Sequence, residues 1–260
     1  MRVRGFCCGW LGIDYSELIE GEEGRIRLPV PCYVIEHAGS VLVFDAGLHP
    51  DVRDERSERH RALSPQFDCD LPEGTALDER LAACGVDPAA VDFLALSHLH
   101  FDHVGGSALL QNADLVVQRA EWEAAVADVD GEAYLRAEYT DLESGLRRRL
   151  VDGAWDVFGD GRVRLLPTVG HTAGHQSLRL RTDDGAELVL CGDACYMRRS
   201  LDEVALPPFA FDLAAQRRGL EHLALLESAG ARLVFGHDPA QWPTGPGDDE
   251  ILELGAPRVS

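Results

Sequence analysis

No stretch of this sequence stays apolar for the roughly 18 residues that a membrane-crossing helix needs. No long apolar core follows the early arginines, as it would in a secretory leader, so the chain is expected in the cytoplasm. No CxxC pair occurs among its seven cysteines, Cys7, Cys8, Cys32, Cys69, Cys84, Cys191 and Cys195. An odd count without paired spacing argues against a disulfide framework and for reduced thiols used as small core residues. Positive charge is short, leaving a formal net charge of -21. Such a chain repels nucleic-acid backbones and anionic bilayers, so neither nucleic acid nor membrane is expected as a partner. Short-period repeats and a sharp linker are missing too. With 260 residues, 45% of them hydrophobic, the chain reads as one domain, 1–260, with a real core.

What is present is a concentration of metal-binding side chains. Ser97-His98-Leu99-His100-Phe101-Asp102-His103 follows the apolar run Val91 to Leu96 and precedes Gly105-Gly106. In extended backbone alternate side chains share a face, so His98 and His100 point the same way. Asp102 and His103 fall where the strand yields to a turn and helix, and can aim at a second point beside the first. One short segment can therefore serve two adjacent cations. Imidazole and carboxylate suit zinc, iron, manganese or cobalt better than calcium or magnesium. A closed structural zinc site would be rich in thiolates, and this stretch has none.

Around that segment the pattern alternates. Met1 to Glu23 is expected to be irregular, punctuated by glycines, yet apolar enough to pack on the body and cover a cleft. Strands are expected at Val30 to Glu36 and Val41 to Phe44, joined by a hairpin turn at His37-Ala38-Gly39-Ser40. Pro50 to Glu73 reads as a long excursion bordering the site, with His49 and His60 solvated. Leu77 to Cys84 is helical and Gly85 ends it. Asp114 to Gln118 is a strand, and Arg119 to Val129 a helix with Trp122 and Val126 on one face. Glu132 to Arg149 is expected at the surface, partly helical. Strands return at Arg162 to Val169, Ser177 to Arg181 and Ala186 to Leu190. Met197 to Phe211 reads as a loop rich in proline and aromatics, and Asp212 as the cap of a helix from Leu213 to Glu227. A last strand, Leu233 to Phe235, precedes a Pro- and Gly-rich tail from Gln241. Interleaved strands and helices make the class α/β.

His98-Leu99-His100-Phe101-Asp102-His103 resembles the HxHxDH signature of the metallo-β-lactamase superfamily. The resemblance implies a four-layer αββα sandwich with further ligands from later loops. His171 in Gly170-His171-Thr172-Ala173-Gly174-His175, Asp193 after Leu188-Val189-Leu190-Cys191, and His237 after Val234-Phe235-Gly236 match those positions in type and order. The implied first site is His98, His100 and His171. The second is Asp102, His103 and His237, with Asp193 bridging. Asp45, in Asp45-Ala46-Gly47, would sit beneath the site and orient ligands. Two divalent cations, most simply Zn2+, would then share a hydroxide able to attack an ester carbonyl at neutral pH. The superfamily's di-iron redox branch carries glutamate where His100 stands, which favours hydrolysis here.

Several motifs are similar to the N-acyl-homoserine lactonase branch. They are His98 to Gly106, Val117 to Ala125, Gly170 to Leu178, Gly192-Asp193-Ala194-Cys195-Tyr196, and Leu28 to Tyr33. That resemblance implies opening of a homoserine lactone ring, hence quorum quenching, by a monomer or homodimer. Tyr196 would donate to the developing oxyanion and Asp102 would carry a proton to the leaving alkoxide. Phe101, Phe209 and Phe211, with Leu18 and Phe67, are candidates for the wall of an acyl channel. His175 is expected to support the site, not to bind metal. The alternative is the same centre acting on another ester, thioester or phosphotriester.

Overall fold

The computed structural model describes residues 1–128, 131, 133–242 and 250–255. Two sheets face each other. The first contains β1 (Arg2–Asp14), β2 (Arg25–His37), β3 (Ser40–Phe44), β4 (Asp68–Asp70), β5 (Phe93–Ala95), β6 (Asp114–Gln118) and β7 (Arg147–Val151). The second contains β8 (Trp155–Asp156), β9 (Val163–Pro167), β10 (Gln176–Arg181), β11 (Glu187–Leu190) and β12 (Arg232–Val234). β13 (Leu252–Glu253) returns to pair with β1, so the order in the first sheet is β13-β1-β2-β3-β5-β6-β7, with β4 also on β1. The second runs β12-β11-β10-β9-β8. β3, β5, β6 and β7 are mutually parallel, as are β11 and β12.

Alternation within single strands builds four layers. Leu42 and Phe44 of β3, Ala95 of β5 and Val116 of β6 face the second sheet. There they meet Leu165 of β9, Leu178 and Leu180 of β10, and Leu188 and Leu190 of β11. Their neighbours Val43, Leu94, Leu115 and Val117 point the other way, onto α2 (Leu77–Ala83), α4 (Arg119–Ala127) and α5 (Arg136–Gly145). Across the molecule Val189 and Leu233 pack on α7 (Leu213–Ser228). This is the αββα sandwich. Removing one of these fully buried leucines, as in Leu190→Ala, costs about 2–5 kcal/mol through lost transfer energy and the cavity left behind.

Several expectations needed correction. The N-terminal segment is not irregular. It forms β1, whose register against β2 slips between Cys7 and Trp10. Gly9 takes φ +116 there, and Pro29 and Pro31 sit opposite the slip. Glycine and proline read as punctuation because a bulge uses the same residues as a turn. Glu132 to Arg149 is partly helical as expected, through α5, but its end runs into a parallel edge strand, Arg147 to Val151. Its arginines guard the edge: Arg147 and Arg149 pair with Asp114, and Arg148 lies over Trp122. Val126 stands one turn beyond Trp122 on the same side of α4, as expected, but is 46% exposed; α4 buries Glu121, Trp122 and Ala125.

The excursion after Pro50 holds α1 (Glu58–Leu63) and β4. His49 accepts from the N–H of Asp51 and His60 bonds the carbonyl of Val52, so neither is merely solvated. The loop from Met197 begins with α6 (Arg198–Asp202). In the tail, 243–249 and 256–260 lie outside the described residues, and Leu252–Glu253 between them is strand. The hairpin turn at 38–39, the cap Asp212 and the strand Asp114–Gln118 fall where the sequence places them.

Candidate metal centre

The site lies where strands of both sheets end. Asp45 leaves β3 with φ 62, a left-handed conformation that aspartate tolerates. Its Oδ1 accepts the N–H of Ser97 at 2.6 Å, and its Oδ2 lies 3.0 Å from Nδ1 of His103. Beyond β5, Ser97 to His100 runs into α3 (Phe101–Val104), a single turn carrying Asp102 and His103. The connection between β9 and β10 presents His171. A 3-10 turn after β11 presents Asp193, and the chain after β12 presents His237.

Seven side chains converge. Nε2 of His171 lies 3.2 Å from Nε2 of His98 and 3.0 Å from Nδ1 of His100. Oδ2 of Asp193 faces this trio, 3.3 Å from His171 and 3.8 Å from His98. Its other oxygen, Oδ1, faces a second group, 3.1 Å from Nε2 of His237 and 3.4 Å from Nε2 of His103. Oδ2 of Asp102 completes that group, 3.4 Å from His103 and 3.6 Å from His237. One carboxylate thus spans two donor clusters.

The protons can be assigned from partners. Nδ1 of His237 meets the carbonyl of Pro29 at 2.8 Å and must donate to it. Nδ1 of His103 likewise donates to Asp45. With those protons on Nδ1, a bound cation would meet Nε2 of each ring facing inward, as in metal-binding histidines held by a carboxylate or carbonyl. Nε2 of His103 and Oδ1 of Asp193 are buried and have no hydrogen-bond partner. Four carboxylates, Asp45, Asp102, Asp193 and Glu121, lie 0–6% exposed around these rings. Burial of so much negative charge calls for compensating cations. The donor set fits divalent metal: nitrogen and carboxylate in two groups of three whose donor atoms lie within 4.8 Å of one another.

Without a cation, electrostatics separate the two groups. Burial pushes His98 and His171 well below the usual imidazole range, so they stay neutral. Burial acts the same way on His103 and His237, but neighbouring carboxylates overcome it and raise both. Asp102 and Asp193 are disfavoured as anions by burial, yet the histidines around them hold both lowered. Burial, then Asp193 and Asp102, hold Tyr196 well above the usual phenol range. It remains a hydroxyl donor, 2.9 Å from Nδ1 of His171.

A cleft of about 510 Å³ opens over these groups. His100, Asp102, His171, Asp193, Tyr196 and His237 form its floor. Leu11, Ile13 and Leu28 of β1 and β2 form one wall, with Leu18, Phe67 and Phe101. Phe101 packs against Phe67 as a tilted pair with ring centroids 4.8 Å apart. Phe209 reaches the mouth of the cleft but is 78% exposed. Phe211 is outside the cleft, 66% exposed, and meets the site only by donating its backbone N–H to the carbonyl of His171. Its expected place in the channel wall is therefore corrected: apolar character does not say which way a loop residue points.

Residues matched by the family profile for the metallo-beta-lactamase superfamily run from 25 to 237. The chain belongs to that superfamily. An N-acyl homoserine lactonase, AttM, of Rhizobium johnstonii is 32% identical over 232 residues, which span 86% of this chain and 88% of AttM. The AiiA N-acyl homoserine lactonase of Bacillus thuringiensis subsp. kurstaki is 29% identical, over 83% of this chain and 84% of its own. A solved N-acyl homoserine lactone hydrolase, with the product N-hexanoyl-L-homoserine at its catalytic metal centre, superposes with a TM-score of 0.83. It is 26% identical, and 96% of this chain and 98% of that one are covered.

Sequence reasoning brought together all seven donors and Tyr196, and gave Asp45 its place. It assigned no role to Glu121 or Tyr134. A glutamate in the first turn of a helix ordinarily marks a solvated end that favours the helix dipole. The only available signal was its place in the Val117 to Ala125 motif that resembles the lactonase branch.

Proposed function

We propose that this chain is one hydrolase domain that opens the ring of N-acyl homoserine lactones. The observation that carries the reading is the join between an apolar cleft and a floor of convergent donors split by Asp193. Such a cleft suits a substrate with an apolar tail and one hydrolysable polar head. The named activity of relatives sharing almost the whole chain supports the same choice.

His98, His100 and His171 would hold one cation; Asp102, His103 and His237 a second; Asp193 both. Zinc fits these donors best, with iron, manganese or cobalt as substitutes. When bound, the cations supply Lewis acidity and a water acidified to a pKa of about 7. The chain's own residues do the rest. The apolar wall holds the acyl tail and excludes water from it. With Nδ1–H of His171 donating to its oxygen, Tyr196 keeps its own proton free for the substrate carbonyl oxygen as charge builds there. Asp102 lies at the cleft floor, placed to pass a proton to the ring oxygen as the carbonyl–oxygen bond breaks. The product is an N-acyl homoserine with a free carboxylate and hydroxyl. Seven free thiols suit a reducing cytoplasm as the place of action.

The test is hydrolysis of short- and long-chain N-acyl homoserine lactones, followed by proton release, with metal content measured on the same sample. Turnover with two cations per chain is expected. Cleavage of simple aryl esters or phosphotriesters without lactone turnover would refute the substrate.

A further inference from the structure

Glu121 is wholly buried, and the chemistry above does not use it. It stands in the first turn of α4 but turns away from that helix's own end. Oε1 accepts the backbone N–H of Leu99 at 3.0 Å. Oε2 accepts the backbone N–H of Gly174 at 2.8 Å. Leu99 sits between His98 and His100, and Gly174 lies three residues beyond His171. One carboxylate therefore ties together the two loops that deliver all three imidazoles of one donor group. The loops press hard against the helix: a Cβ on Gly174 would stand 2.3 Å from the backbone nitrogen of Glu121, so only glycine fits. Burial and then the charge of Glu121 raise the Tyr134 hydroxyl above the usual phenol range, and the Tyr134 ring packs on His100 at 5.6 Å between centroids.

Charge sharpens the point. Among the described residues Glu121 is hydrogen-bonded by two backbone N–H groups, with no arginine paired to it. Two charge-assisted bonds offset only part of the desolvation of a buried carboxylate. The remaining compensation has to come from positive charge, and the His98, His100 and His171 group is within electrostatic reach, since Glu121 acts on His100. Glu121 reaches backbone only, so it adds negative charge there without taking a coordination position. The other donor group has its own buried carboxylate support in Asp45, through His103.

We propose that Glu121 is a positioning residue that sets the cation affinity of the three-histidine half of the centre, leaving the Asp102, His103 and His237 half largely unaffected. Clamp and charge act together: the N–H bonds fix the spacing of the two ligand loops, and the anion favours the cation between them. Outer partners of this kind are worth about 10–100-fold in metal affinity.

The proposal rests on the dinuclear reading, and the experiment separates the two. Zinc content and stepwise zinc affinity are measured by competition with a chromophoric chelator, first on the unaltered protein and then on Glu121→Gln. Glutamine keeps the size, loses the charge and leaves one backbone N–H without its acceptor. An unaltered protein that holds no cation would sink the dinuclear reading itself. With that reading intact, Glu121→Gln is expected to keep one tight cation and bind the other about 10–100-fold more weakly. Cobalt(II) added to the weakened position should show the visible bands of a nitrogen-rich donor set. Unchanged affinity for both cations overturns the proposal. So does an equal loss of both that tracks a fall in thermal stability of the metal-stripped chain, since that is a structural effect alone. Should the variant not fold, Tyr134→Phe removes the hydroxyl on which the same carboxylate acts. Weakening confined to the three-histidine half then supports the proposal, and unchanged affinities refute it.

Discussion

The backbone N–H of Asp193 donates to Nε2 of His175 across 2.9 Å, and this single bond fixes a buried chain of protons. Because Nε2 accepts, the ring proton sits on Nδ1 and is donated to Oγ1 of Thr168 at 2.8 Å. The Thr168 hydroxyl in turn donates to Oγ of Ser177 at 2.9 Å, and Ser177 to the carbonyl of Cys191 at 2.7 Å. The carboxylate facing both donor groups is thus anchored through its own main chain. Replacing His175 with alanine strands that buried N–H, a cost of about 1–3 kcal/mol. Calorimetry on His175→Ala should show a midpoint lower by several degrees, with weaker binding of both proposed cations, since Asp193 faces both donor groups. Two cations held with unaltered affinity would contradict the anchoring role.

The same ring gives a pH dependence. Burial lowers the His175 pKa from 6.5 to about 3, so the folded ring stays neutral where the unfolded one is charged. Between those values the unfolded chain binds the extra proton, and stability rises with pH. The contribution is complete above the unfolded value and is lost as pH falls toward the folded one. Urea unfolding from pH 7 to pH 4 should therefore show a steeper loss of stability for the natural chain than for His175→Gln. Parallel profiles would mean that His175 is not the group taking up that proton.

How far the sequence goes is clear from individual residues. His98, His100, Asp102 and His103 were legible from side-chain type and spacing, and His171, Asp193 and His237 through resemblance, each after a strand-like run. Asp45 was legible only through resemblance, since a turn aspartate looks the same without its partner His103. Glu121 was not, because burial of a charged residue in a helix depends on two loops distant in sequence. β1 was hidden by the glycine and prolines of its bulge. β7 was hidden because consecutive arginines suit both a solvated surface and a guarded sheet edge. Periodicity reports what an element buries, but not the neighbours that let it bury a charge.

Removing metal should destabilise the fold. Four carboxylates lie buried at the site, and the cations are their natural counter-charge. A ligand present at a thousand times its dissociation constant contributes about 4 kcal/mol, which at this chain length is on the order of ten degrees in midpoint. Dialysis against a strong chelator is expected to lower the melting temperature by that order, and two equivalents of zinc should restore it. A melting temperature indifferent to both treatments would disprove the centre.

Tyr196 makes a different prediction. Its hydroxyl touches His171 at 2.9 Å and lines the cleft floor, and burial keeps it protonated. Tyr196→Phe removes a donor aimed at developing charge without removing any cation ligand. The expected result is a fall in kcat of about a hundredfold, little change in KM, and two cations still bound. A variant that turns over at the natural rate would leave the hydroxyl with a packing role alone.

Acyl selectivity should follow the wall, not the rim. Phe67 lines the cleft and packs against Phe101, whereas Phe211 lies outside it and is 66% exposed. A methylene moved from water into apolar surroundings is worth about 0.8 kcal/mol, so several of them sharing the Phe67 face outweigh any single polar contact. Phe67→Ala should raise KM severalfold for a long-chain lactone and hardly at all for a short one, because the short chain ends before that wall. Phe211→Ala should change neither, since its side chain meets solvent and only its backbone reaches His171. Steady-state kinetics on the two lactones decide the matter. A Phe211→Ala variant with the larger defect would place the acyl chain along the outer loop and require a different bound pose.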